Sequence, residues 1–146
     1  MKRFLLLPIL LLLFAFQTDE KPAGKPVCNG YFACTHAGVV TLSVQDFLNA
    51  IQKPLCAKDS MNNILSVHKF DMTYAERGLF QDSAGLPLIT TEYSFAPCTG
   101  DSITAYWRNQ FQERAYKGDT IFFDRIIARS SNNQIYSCKG IKVVLK

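Results

Sequence analysis

The chain has 146 residues, 48% of them hydrophobic, and a formal net charge of +4. That length suits one domain with a real core. Acids and bases are interspersed along it, which excludes the basic stripe of a nucleic-acid-binding protein and leaves no expectation of a nucleic-acid partner.

Lys2 and Arg3 open the chain, an apolar run follows from Phe4 to Phe16, and Gln17, Thr18, Asp19 and Glu20 are polar. This positive, apolar, polar order is that of a secretory signal. A membrane span needs roughly 20 apolar residues, and this run is shorter. Residues 1–17 are therefore expected to be a cleaved signal peptide, leaving no integral membrane segment and a periplasmic or secreted protein. Pro22, Gly24 and Pro26 mark residues 18–34 as a flexible lead-in. Residues 35–146 are expected to form a single β-rich domain.

Within that domain, Thr35 to Leu42 reads as a first short strand. Ser43 is a good helix N-cap, with Asp46 three residues on. Val44, Phe47, Leu48 and Ile51 follow helical spacing, and Pro54 stops the helix. From Ile64 to Tyr74 the period changes to two: Phe70, Met72 and Tyr74 face one way, with His68 in the same alternation. Gly78 and Gly85 flank a loop or short hairpin, and Leu86 to Phe95 reads as the next strand. Asp101 is expected to cap a second helix whose buried stripe is Ile103, Tyr106, Trp107 and Phe111. Thr120 to Arg129 is strongly β-prone. Ser130 to Asn133 is a turn, and Ile135 to Lys146 returns as the last strand, with Ile141, Val143 and Leu145 inward. The sum is a mainly β (α+β) fold: an antiparallel β-sandwich-like domain of about six strands with two short helices.

Cys28, Cys34, Cys56, Cys98 and Cys138 are the disulfide candidates. An exported chain meets oxidising conditions, and five thiols leave at least one over. Cys28 and Cys34 are close enough in sequence for a local loop, but spacing does not select a pairing.

The sequence carries no catalytic elbow, metalloprotease helix, phosphate loop or dinucleotide fingerprint. Cys34 and His36, two apart on an expected strand, read as a half-cystine beside a surface histidine rather than a nucleophile and its base. Cys28, Cys34 and His36 fit no zinc spacing, so neither metal nor cofactor is expected. Asp124 is the lone acid in its strand, and Arg125 is expected on the opposite face. Trp107 and Arg108 are residue types favoured at interfaces. Lys139, Lys142 and Lys146 could mark the last strand as a charged edge, either protective or open to a partner strand. Trp107, Arg108, Lys139 and Lys142 are thus the candidate binding residues.

The run from Gly118 to Ala128, GDTIFFDRIIA, resembles the GD-x-[IV]-x-F-x-x-I-x-A signature of the GldM C-terminal domain family. Ser43 to Leu48, His68 to Met72 and Asp101 to Phe111 resemble that family's upstream helix, strand and second helix in order. The resemblance implies a β-rich periplasmic interaction module with no catalytic residues to carry over. The long arm and membrane helix of the gliding and secretion motor are not in this sequence, so the fold is the expected inheritance. The expected function is that of an exported, non-enzymatic module that binds a protein of the cell envelope. The alternative is a small secreted enzyme or ligand binder with a site of scattered loop residues.

Overall fold

The computed structural model of the protein describes residue 24 and residues 26–146. The expected signal peptide, and residues 18–23 and 25 of the expected lead-in, lie outside the described residues. The elements in order are β1 (Val27–Tyr31), β2 (Val39–Leu42), α1 (Val44–Ala50), β3 (Cys56–Lys58), β4 (Ile64–Gln81), β5 (Pro87–Thr99), α2 (Ala105–Arg114), β6 (Thr120–Arg129), β7 (Ile135–Lys139) and β8 (Ile141–Leu145). The fold is mainly β with two helices, as the alternation of apolar residues requires.

Several boundaries differ from expectation. The lead-in does not extend to residue 34, because Val27 to Tyr31 is already a strand of the sheet. Its short run of Cys, Asn and Gly hides a β pattern. Gly78 lies inside β4 rather than at its end, and the hairpin turn runs from Asp82 to Leu86. The second helix starts later than Asp101: Thr104 is its N-cap, its hydroxyl accepting from the Trp107 N–H. The first helix caps as expected, with Ser43 Oγ accepting from the Asp46 N–H at 3.0 Å.

The strand ladder returns on itself. β4 pairs with β6, β6 with β7, β7 with β1, β1 with β3, and β3 again with β4. β8 pairs with the first half of β6, β2 with β8, and β5 with β4. Most pairs are antiparallel, but β1–β7 and β2–β8 are parallel, which the sequence reading did not foresee.

Closure depends on a line of irregularities crossing neighbouring strands at one level. In β4, Leu65 and Val67 are buried before the register shift, and Phe70, Met72 and Tyr74 after it. In β6, Ile121 and Phe123 are buried, then Ile126 and Ala128, with Arg125 at φ +47° between them. In the returning strand, Cys138 is buried, then Ile141, Val143 and Leu145. Each parity change marks an inserted residue that bends its strand. Two expectations fail for this reason: His68 is exposed and out of phase with Phe70, and Asp124 and Arg125 are both exposed. Gly140 sits on this line because a Cβ there would come within 2.5 Å of Asp124 Oδ1 and 2.9 Å of the Phe123 carbonyl oxygen. Asp124 forms no ion pair among the described residues; the pair at this corner is Arg125 with Asp71.

Both helices lie on the inner side and supply aromatics to the core. Phe47 of α1 meets Phe111 of α2 edge-on at 5.2 Å, and Phe111 meets Tyr74 at 4.9 Å. Phe32 bridges Phe47 and Phe123.

Two disulfides form, Cys28–Cys138 and Cys34–Cys56, and Cys98 is the buried free cysteine. The local Cys28–Cys34 loop is not made. Cys28 stands directly opposite Cys138 in the β1–β7 register, and Cys34 in the turn after β1 reaches Cys56 at the start of β3. Both bridges therefore clamp the short strand that closes the ring. Such bridges persist in an oxidising, non-cytoplasmic compartment. Among the described residues no helix is long and apolar enough to cross a membrane.

Candidate functional site: the outer face of the β4–β5 arm

β4 runs past its last pairing with β6, Ala75 opposite Thr120, and continues with β5 alone as a two-stranded arm. The arm's turn is built by Asp82, whose Oδ1 accepts from the Ala84 and Leu86 N–H groups at 2.9 and 2.8 Å, with Gly85 at φ +79°. Register fixes its faces, because opposed residues in an antiparallel pair point the same way. Met72 with Ala96 and Tyr74 with Ser94 face the core and α2. Thr73 with Phe95, Ala75 with Tyr93, Arg77 with Thr91, and Leu79 with Ile89 share the outer face. Phe122, opposite Thr73 on β6, extends that face inward.

Among the described residues the large apolar side chains of this face are exposed, on either side of the Arg77–Thr91 pair, while Ala75 at its base is buried. Leu79 is 73% exposed, Ile89 58%, Tyr93 71% and Phe95 57%. Scattered exposed hydrophobics are ordinary, but a contiguous stripe of large ones marks a contact surface. Cations stand around it. The Arg125 guanidinium lies 6.0 Å from the Phe95 ring centre, and Lys142 Nζ lies 5.6 Å from that of Phe122. Arg77 and Lys117 line a shallow hollow with Leu79, Ile89 and Tyr116.

The four expected binding residues do not converge. Trp107 is half-buried and packs on Phe111 at 5.9 Å, on the inner side with α2. Arg108 shares that helix. Lys139 is exposed beside the Gly140 bend. Only Lys142 joins the outer face. The last strand is not an edge: β7 lies between β6 and β1, and β8 between β6 and β2. Sequence reasoning missed Leu79, Ile89, Tyr93 and Phe95 because alternating apolar residues read the same whether their face is covered or bare. The one available signal was apolar residues at both parities of β5 in a strand rich in neither glycine nor charge.

The chemistry-bearing residues are dispersed or committed. His36 follows the turn after β1, and His68 is exposed on β4. Cys34 is consumed in its disulfide. A cleft of about 490 Å³ at the bent corner is lined by Lys69, Asp71, Cys98, Arg125 and neighbours, but by neither histidine nor Asp124. Within it Asp71 is engaged by Arg125. Burial, aided by the Asp71 charge, pushes the Cys98 thiol up, so it stays protonated and unreactive at neutral pH. Among the described residues no group of three or more His, Cys, Asp and Glu could hold a metal ion.

The buried polar cluster instead fixes the base of the arm. Asp119, fully buried, accepts from Tyr74 Oη at 2.7 Å, the Tyr116 N–H at 2.8 Å and the Arg77 N–H at 2.8 Å. Its own backbone carbonyl accepts from the Leu145 N–H at 2.9 Å. The carboxylate thus joins β4, where the arm leaves the body, to the turn before β6, and the same residue's backbone carbonyl holds the end of β8. Burial, and next the bond to Asp119, push the Tyr74 phenol well above its ordinary value. A phenol whose folded pKa is raised stabilises the fold fully below the unfolded value of about 10, and that stabilisation is lost as pH rises above it. The expected result is alkaline destabilisation that a Tyr74→Phe variant lacks. Spectrophotometric titration checks it: one of the six tyrosines ionises only as the wild-type chain unfolds.

No protein-family model and no curated protein matches the chain. The resemblance to the GldM C-terminal domain therefore rests on its short motifs alone.

Proposed function

We propose that the protein is an exported, non-enzymatic binding module that docks a protein of the cell envelope on the outer face of its β4–β5 arm. The observation that carries this reading is the stripe of Leu79, Ile89, Tyr93 and Phe95, exposed among the described residues and tied at its base by Asp119. Aromatic side chains give large contact area at low entropic cost, and burying such a stripe is the main driving force of association. The surrounding Arg77, Lys117 and Lys142 call for a partner with carboxylates around an apolar centre. Export rests on the signal-like N-terminus and agrees with the two disulfides. The motif resemblance to an envelope interaction domain points the same way.

The test is site-directed photocrosslinking in the native envelope. A photoreactive residue at Leu79 is expected to give an adduct with a second, different protein, whereas one at Ser131 in the far turn gives none. Absence of any adduct from Leu79, or adducts equally from both positions, would sink the proposal.

A further inference from the structure

We infer that the outer edge of β5 pairs with the same edge of a second copy, joining two sheets into one about a two-fold axis through Glu92. This goes beyond the docking face above, because it concerns the edge of the strand rather than its surface.

The backbone directions of β5 are fixed at both ends. The Gly100 N–H donates to the His68 carbonyl at 2.7 Å, and the Asp82 N–H to the Leu86 carbonyl at 2.9 Å. The register between these points is unbroken. Hydrogen-bonded pairs alternate along an antiparallel ladder, so the even-numbered residues of β5 bond to β4. Pro87, Ile89, Thr91, Tyr93, Phe95 and Pro97 therefore turn their backbone groups away from it. β5 has no other strand partner among the described residues. The two prolines confirm the assignment, since proline sits in a strand only where its missing N–H faces the open side.

Edges are normally protected by shortness, bulges, charge or interior proline. β2, the other terminal strand, is four residues long. β5 is thirteen residues long and regular, its one charged residue is Glu92, and its prolines stand at the first position and near the end. Those prolines lie equally far from Glu92, which selects the occupant. In a two-fold pairing centred there, Pro87 faces the other copy's Pro97, so no donor is asked of either. Every outward N–H and C=O of Ile89, Thr91, Tyr93 and Phe95 finds a partner. Ile89 then opposes Phe95 and Thr91 opposes Tyr93, the aromatic–β-branched pairing favoured across strands. Opposed residues keep the same face, so the two apolar stripes become one continuous surface.

The arrangement contains one repulsion. Glu92 meets its own copy on the inner face, near each Arg114. This gives the test two opposite arms, read by sedimentation equilibrium of the mature, oxidised protein. The wild type is expected to dimerise. Thr91→Pro removes an outward N–H without touching the bonds to β4. It is expected to weaken the dimer about 30-fold, from two lost bonds, while circular dichroism, and melting at concentrations low enough to keep both forms monomeric, stay unchanged. Glu92→Gln is expected to tighten it about threefold. A wild type that stays monomeric, or a dimer indifferent to both substitutions, would overturn the inference. A crosslink from Leu79 to a different protein would still stand in either case, so the two readings fail separately.

Discussion

Replacing Cys28 and Cys138 together by alanine will cost about 4–5 kcal/mol of stability and open the ring of strands at β1. The bridge spans 110 residues of sequence, so in the unfolded chain it removes most of the freedom that closure would otherwise have to overcome. Its place in the fold sharpens the effect. β1 has five residues, enters the sheet through a parallel pair with β7, and is the link between β7 and β3. Alanine is the right replacement, since both positions are buried and serine would add an unpaired hydroxyl. With a typical domain stability of about 5–15 kcal/mol, the variant will be marginal. Urea denaturation of the two forms measures the difference. A loss below about 1 kcal/mol would show that β1 is held by packing alone. The Cys34–Cys56 bridge closes a separation of 22 and contributes less, about 3 kcal/mol.

Asp119→Ala is expected to cost about 3–5 kcal/mol, because it leaves the buried Tyr74 hydroxyl and the Arg77 and Tyr116 N–H groups without their acceptor. Asp119→Asn separates charge from shape. Its amide keeps one oxygen but turns an NH2 group toward donors, so it will lose a large part of the same stability. Tyr74→Phe removes only one of the donors and will cost about 1 kcal/mol. Thermal denaturation of the three variants orders them. If Asp119→Asn matched wild type, the carboxylate would be a bystander. Backbone amide exchange adds a local readout: the Arg77 amide will exchange far faster in Asp119→Ala, since this bond holds the arm to the body.

Local patterns were legible in the sequence where one residue type had one meaning. Ser43 with Asp46 located the first helix, and the alternation of Phe70, Met72 and Tyr74 located the buried face of β4. Asp119 was not legible as a structural residue, because a carboxylate after Gly118 looks the same whether solvated or buried among three donors. The bends were hidden for a related reason. TIFFDRIIAR is apolar at both parities, so the change of phase at Arg125 leaves no gap in the pattern. β1 was hidden by its small residues, and the disulfide partners by the many pairings that five cysteines allow. The candidate site was the least legible part. Leu79, Ile89, Tyr93 and Phe95 have the composition of a core, and only the lack of a covering layer among the described residues, a property of the tertiary fold, makes them a surface.

That distinction, between side chains kept for packing and side chains kept for contact, is tested by the double substitution Tyr93→Ser with Phe95→Ser in the full chain. If the outer face of the arm serves docking, the melting temperature will hold at or above the wild-type value, while the photo-adduct formed from Leu79 disappears. A variant that melts well below wild type, or that keeps its adduct undiminished, would show that these aromatics belong to the fold and that the partner binds elsewhere.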